Sequence, residues 1–193
     1  MGPTFLRILT ALLAACTALA AQDRSEDRWP TRERWNYDFG ASLISSQPMG
    51  DLKTRLDARH GVGIGAQWTE FRNDRWLKRT RMEWVTYREA EPVGSARVRT
   101  QMKTFTLSFD QVVHFASEPI GPYVVFGLGG VRTLWDESTP TQQRHLNATK
   151  LLVTGGVGLR LANQVSLEAR YGVSSLAKSQ DASTLQFCMG WHF

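Results

Sequence analysis

The residues that could do chemistry in this 193-residue chain are few and widely separated. Its four histidines are His60, His114, His145 and His192, and no two of them have the spacing of a metal site. The sequence contains neither a Cys-x-x-Cys pair nor a His-Glu-x-x-His motif. We therefore predict no catalytic residue, no metal ligand and no cofactor.

Two glycine-rich stretches, at 61–65 and 127–130, superficially resemble loops that hold phosphate groups. Such loops need a helix directly after them, because the helix N-terminus binds the anion. No helical pattern follows either stretch. We interpret these glycines as residues that leave room for long side chains inside a packed barrel.

Charged side chains at alternate positions are more informative. They occupy every second position of segments in which the intervening positions are apolar. The set is Asp38, Arg81, Glu83, Asp110, Lys150, Glu168, Arg170 and His192. Acids and bases nearly balance in this set, and buried charges are tolerated when they are paired. We predict that these residues form an ion-pair network filling the interior of a barrel.

The elements that position these residues are strands, because apolar and polar residues alternate with a period of two. This pattern recurs eight times between Trp35 and the end of the chain. The predicted strands are 35–45, 59–70, 77–88, 99–113, 121–134, 149–161, 165–176 and 183–193. The fold class is therefore all-β.

The connections between the predicted strands add a second regularity. Those after the second, fourth and sixth strands are short, and those after the first, third and fifth are long. This alternation is typical of an antiparallel up-and-down barrel that spans the outer membrane, with both termini on the periplasmic side. The alternative is a soluble sandwich whose charged face meets water.

Aromatic residues lie mostly near the strand ends and on the apolar parity. Tryptophan and tyrosine favour the headgroup level of a membrane, because one end of each side chain is apolar and the other polar. The predicted aromatic girdle consists of Trp35, Tyr37, Trp68, Trp84, Tyr123 and Tyr171.

The first 21 residues have the features of a signal peptide. Arg7 precedes a short apolar run, and small residues end it at Ala18-Leu19-Ala20. Residues 22–34 are charged and aperiodic, which predicts a flexible periplasmic tether before a barrel at 35–193. Cys16 leaves open a second interpretation, a lipoprotein signal. If Cys16 is removed with the signal, Cys188 remains as one small buried thiol.

The net charge of +5 is modest, and the basic residues are dispersed along the chain. Nucleic-acid binding is therefore not indicated.

The last strand carries a resemblance to a known group of proteins. Its residues 185–193, ending on Phe193, resemble the C-terminal assembly signal of bacterial outer-membrane barrels. Residues 123–130 and 155–160 resemble strands of small barrels of the OmpA, OmpX and opacity-protein type. The resemblance implies outer-membrane location and recognition by the barrel-assembly machinery. The residues of the implied signal are Phe187, Met189, Gly190, Trp191 and Phe193.

Some small barrels modify lipid A. The lipid A deacylases are similar to this chain in its last two strands, but they have a His-x-Ser pair on the penultimate one. Arg170 stands near the position of that histidine here. A serine without an adjacent base is not activated, so we do not expect an enzyme.

We therefore expect a structural or surface-interaction barrel in contact with outer-membrane lipid and lipopolysaccharide. The alternatives are a narrow pore for small solutes and a lipid A-modifying enzyme.

Overall fold

Eight long strands form a closed antiparallel barrel in the computed structural model of this chain. The structure describes residues 37–71, 76–90, 99–115, 120–139, 141–162, 165–177 and 180–193. Each barrel strand pairs with the barrel strands before and after it in the chain, and the last one closes the barrel against the first. The eight-stranded barrel predicted from the alternating pattern is confirmed.

The barrel strands agree closely with the predicted segments. They are β1 (Tyr37–Pro48), β2 (Gly61–Phe71), β3 (Trp76–Ala90), β4 (Arg99–His114), β5 (Gly121–Ser138), β6 (Gln143–Ala162), β7 (Val165–Val173) and β10 (Thr184–His192). Three short elements lie between them: α1 (Gly50–Arg55), β8 (Ser175–Ala177) and β9 (Gln180–Asp181).

The two ends of the barrel differ. The terminal end carries the start of β1 and the end of β10, with the short connections between strands. The loop end carries α1, the β8–β9 hairpin and the tip of the β5–β6 hairpin. The connections after β1 and β3 are longer than those after β2, β4 and β6, as predicted, but the connection after β5, predicted to be long, spans only residues 139–142.

Side-chain parity determines what faces outward. Large apolar side chains cover the outside, and Trp84, Phe105 and Phe109 are 43%, 40% and 64% exposed there. Charged and small polar side chains are buried inside. The soluble-sandwich alternative is therefore wrong, because its aromatic side chains would form a central core.

The loop end differs from the prediction in three respects. β6 begins at Gln143 rather than at 149, and β5 continues to Ser138 rather than ending at 134. The predicted seventh strand, 165–176, ends at Val173, and the chain then forms the β8–β9 hairpin. The connection after β1, for which only a long loop was predicted, contains α1.

α1 forms because its leucines have somewhere to pack. Leu52 lies on the helix and Leu56 directly follows it, and four residues apart they lie on one side. They are 1% and 0% exposed. The described residues include no helix that is both long and apolar enough to cross a membrane.

Candidate functional site

The middle of the barrel holds a cluster of six charged side chains, here called the central cluster. Its members are Arg79, Arg81, Glu83, Asp110, Glu168 and Arg170. All six are at least nine-tenths buried. They come from the neighbouring strands β3 and β4 and from β7, which is separated from β4 by two strands.

Glu168 is the centre of this cluster. Its Oε2 lies 2.9 Å from Arg79 Nη2, and its Oε1 lies 2.8 Å from Arg81 Nη1 and 3.0 Å from Arg170 Nε. The Tyr123 hydroxyl donates a fourth contact to Oε2 at 3.1 Å. Three arginines therefore converge on one carboxylate.

The other two carboxylates balance the remaining positive charge. Asp110 Oδ2 lies 3.0 Å from Arg79 Nη2 and 2.9 Å from Arg170 Nη2. Glu83 contacts Arg81, and its Oε1 lies 3.9 Å from Arg170 Nη1. Three positive and three negative groups thus occupy the lumen as a neutral plug, in which every charge has an opposite partner.

A second polar group, the terminal cluster, lies nearer the terminal end. It consists of Asp38, Gln67, Arg160, Ser166 and His192. Arg160 Nη2 donates to Asp38 Oδ2 at 3.2 Å, and His192 Nδ1 lies 3.0 Å from the same oxygen. His192 Nε2 lies 3.0 Å from Ser166 Oγ. This cluster therefore links five consecutive strands of the barrel, β6, β7, β10, β1 and β2.

Above the charged layers, the loop end of the lumen is apolar. This apolar cap consists of Ile44, Leu52, Leu56, Val85, Tyr87, Met102 and Trp135. The Tyr87 hydroxyl is 2.7 Å from Ser46 Oγ, so its polar atom is satisfied. The Arg55 guanidinium lies 5.9 Å from the centre of the Trp135 ring, within range of a cation–π contact. The cap closes the barrel above the ion pairs.

The structure places seven of the eight predicted network residues in the buried interior. They are Asp38, Arg81, Glu83, Asp110, Glu168, Arg170 and His192. Lys150 has the interior parity but is half-buried at the loop end, and none of the ion pairs among the described residues includes it. Arg79 and Arg160 were missed, although each shares the parity of a predicted interior residue on its own strand.

The structure places four residues of the predicted aromatic girdle on the outer face and contradicts the prediction at one, and their position at the headgroup level stays a prediction. Tyr37, Trp68, Trp84 and Tyr171 are exposed on the outer face. Tyr123 instead points into the lumen and is 4% exposed. Its segment barely alternates, so the sequence does not separate the two faces there. The structure shows that Gly127, which has the same parity, also faces inward, because a Cβ at that position would collide with Asp110 Oδ1. Trp35 lies outside the described residues.

The residues of the implied assembly signal all lie on β10 or directly after it. Phe187, Met189 and Phe193 are exposed on the outer face. Trp191 has the same parity and is half-buried. Gly190 faces inward beside Ser166. Their recognition by the assembly machinery stays a prediction.

No protein-family model and no curated protein matches the chain. Solved structures do match it. The attachment invasion locus protein Ail of Yersinia pestis superposes with a TM-score of 0.60 at 13% identity, over 81% of this chain and 97% of Ail. This chain has the fold of small outer-membrane barrels.

Two further structures show the same fold. Ail in complex with the heparin analogue sucrose octasulfate matches with a TM-score of 0.59 at 14% identity, over 81% of this chain and 97% of that one. The N-terminal β-barrel domain of Pseudomonas aeruginosa OprF matches with a TM-score of 0.56 at 10% identity, over 81% and 97%.

Proposed function

We propose that this chain spans the bacterial outer membrane and acts at the cell surface, where its loop end meets ligands. The apolar outer face supports the membrane location. Side chains such as Leu128, Leu151 and Val157 are 60% or more exposed there, and water would penalise so large an apolar surface. Bilayer hydrocarbon removes that penalty.

Export and assembly belong to the same proposal. The predicted signal peptide at 1–21 would direct the chain across the inner membrane, and residues 187–193 would direct it to the assembly machinery. The terminal end then faces the periplasm and the loop end faces the outside.

The filled lumen argues against the pore alternative. The central cluster occupies the middle of the barrel, and the apolar cap covers it at the loop end. An ion crossing this lumen would have to separate several buried ion pairs and also pass an apolar layer. We therefore place the role on the outer surface of the loop end.

The main support for this role is the structure of the β5–β6 hairpin. β6 pairs with β5 from Gln143 onward but with β7 only from Val153. Over residues 143–152, no strand of the described chain pairs with the second edge of β6. Two exposed contacts brace the hairpin, His145 Nδ1 to Asp136 Oδ1 at 2.6 Å and Arg132 Nε to Asn147 Oδ1 at 3.1 Å.

An open edge is a template for a further strand. Its unpaired N–H and C=O groups can hydrogen-bond to an extended segment of a partner protein. A hairpin held above the membrane presents this edge to the medium. The ligand that the geometry fits best is therefore a protein segment in extended conformation.

The charge of the loop end favours a second class of ligand. Lys53, Arg55 and Arg144 are exposed there, and Lys150 is half-exposed. Basic groups of this kind bind phosphate and sulfate, which lipopolysaccharide and sulfated saccharides carry. The similar fold of Ail has been solved with sucrose octasulfate bound. Neither class of ligand requires an enzyme, and we propose none at this end.

Shortening the hairpin tests the proposed function. Residues 136–145 would be replaced by Asn-Gly, a two-residue turn that connects Trp135 to its cross-strand partner Leu146. Bacteria producing the intact chain should adhere to surfaces coated with extracellular-matrix protein, and cells with the shortened hairpin should not. A matched control deletes residues 93–96 from the β3–β4 connection. Equal adhesion of intact and shortened chains would contradict the role of the hairpin.

Heparin-coated surfaces test the second class. Replacing Lys53, Arg55 and Arg144 together by Gln should reduce heparin binding and leave matrix adhesion intact. The folded state is checked by the different gel mobility of boiled and unboiled samples.

A further inference from the structure

The terminal cluster aligns a serine, a histidine and a carboxylate. Ser166 Oγ lies 3.0 Å from His192 Nε2, and His192 Nδ1 lies 3.0 Å from Asp38 Oδ2. One ring nitrogen therefore faces the hydroxyl and the other faces the carboxylate. This is the arrangement of a Ser-His-Asp triad, which is recognised by geometry and not by position in the chain.

The fold produces this alignment by pairing neighbouring strands. His192 lies on β10 between Asp38 on β1 and Ser166 on β7. The three positions are far apart in the sequence, so spacing alone gives no signal of them. All three side chains are buried, at 6–8% exposure.

We propose that Ser166 is an activated nucleophile that takes short acyl groups from small esters. His192 is the general base, and Asp38 is the positioning residue that fixes the ring. The proposal concerns the terminal end of the barrel and goes beyond the surface role. It can therefore fail without affecting the surface role, and the surface role can fail without affecting it.

The residues around the triad hold it in this orientation. Arg160 donates to Asp38 Oδ2 at 3.2 Å and so restrains the carboxylate beside the histidine. The Gln67 amide nitrogen lies 3.4 Å from Nδ1 and 3.5 Å from Nε2 of His192, so it restrains the ring from the side. A Cβ at Gly190 would lie 2.7 Å from Ser166 Oγ. Glycine at this position leaves the hydroxyl unobstructed.

A small cavity adjoins the hydroxyl. Its volume is about 10 Å³, and its lining includes Ser42, Arg79, Arg81 and Ser166. A space of this size holds about one water molecule, as the hydrolysis of an acyl-serine requires. Glu168 lines the same cavity and is ion-paired with both arginines.

The reaction has two balanced steps. Ser166 Oγ attacks the ester carbonyl, and its proton passes to His192 Nε2. The bond to the alcohol then breaks, and His192 returns the proton to the departing oxygen, leaving acyl-Ser166. Water attacks this ester in the same way, which releases the carboxylic acid and restores the hydroxyl.

The test uses the folded chain in detergent micelles with p-nitrophenyl acetate. We expect release of p-nitrophenol and a mass increase of one acetyl group, which peptide mapping locates on Ser166. Ser166→Ala should remove the label, and His192→Gln should slow acylation by at least about 100-fold. Ser108→Ala is the matched control. It changes another buried serine, on β4, that does not line this cavity, and it should leave the rate unchanged.

Two further variants separate chemistry from folding. Ser166→Cys keeps a nucleophile beside His192 and should still become acylated. Asp38→Asn should change the pH profile of the acylation rate, which a merely structural role would not do. Gel mobility before and after boiling confirms that each variant is folded. The proposal is overturned if folded wild-type chain carries no acetyl group on Ser166, or if His192→Gln acylates as fast as wild type.

Discussion

The central cluster and the apolar cap fill the same lumen in opposite ways. Both are built from inward-facing residues of the barrel strands, and both are buried. The central cluster is held by ion pairs around Glu168, whereas the cap is held by packing of Leu52 and Leu56 over Tyr87 and Trp135. Removing one side chain should therefore have different consequences in the two regions.

The difference follows from where each region obtains its partners. In the central cluster every partner lies on a barrel strand, so closure of the barrel itself brings the charges together. The cap also needs α1, which lies in a connection outside the sheet. A substitution in the central cluster should thus change the stability of the whole barrel. A substitution in the cap should change only the packing of one loop on the barrel.

Glu168→Gln should have the largest effect. It removes one negative charge and leaves three buried arginines facing two carboxylates. Breaking a buried ion-pair network from one side costs about 3–5 kcal/mol of unfolding free energy. Urea unfolding in lipid vesicles, followed by tryptophan fluorescence, measures this loss. A change below about 1 kcal/mol would mean that the ion pairs do not hold the barrel.

Leu56→Ala should have the next largest effect, but a local one. Deletion of a fully buried leucine side chain costs about 2–5 kcal/mol. Because α1 lies outside the sheet, the loss should appear as faster hydrogen exchange in 49–58. Exchange of the barrel amides should stay slow, and faster exchange throughout the barrel would refute the separation of the two regions.

Tyr87→Phe should weaken the cap slightly. It removes the hydroxyl that contacts Ser46 and keeps the ring packed against the cap. Loss of one such hydrogen bond costs about 1 kcal/mol. Ser46→Ala is the matched variant. The double variant should cost little more than either single change, and additive losses would show that the bond does not form.

Asp136→Asn should have the smallest effect. Its partner His145 is on the exposed hairpin, where an ion pair contributes only about 0.2–1 kcal/mol. The unfolding midpoint in urea should therefore barely move. A loss as large as that of Glu168→Gln would show that the hairpin stabilises the barrel as much as the central cluster does.

The barrel and most of the central cluster followed from the sequence, because strand parity alone separates lipid-facing from inward residues. Arg79 and Arg160 shared that parity, so the same reasoning could have included them. Tyr123 could not be placed, because its glycine-rich neighbours carry no apolar alternation. α1 and the long β5–β6 hairpin depend on tertiary contacts. The Ser166–His192–Asp38 alignment depends on which strands become neighbours, and no spacing in the chain encodes it.

Side-chain parity is the central claim, and a spin label at Phe109 tests it most directly. Phe109→Cys in a Cys188→Ala background would carry a nitroxide label in lipid nanodiscs, with Asp136→Cys as the exposed control. We expect lipid-soluble oxygen to relax the label at 109 and a water-soluble nickel complex to leave it unaffected, with the reverse at 136. Access of the nickel complex at 109, or exclusion of both reagents, would contradict an outer face that meets lipid.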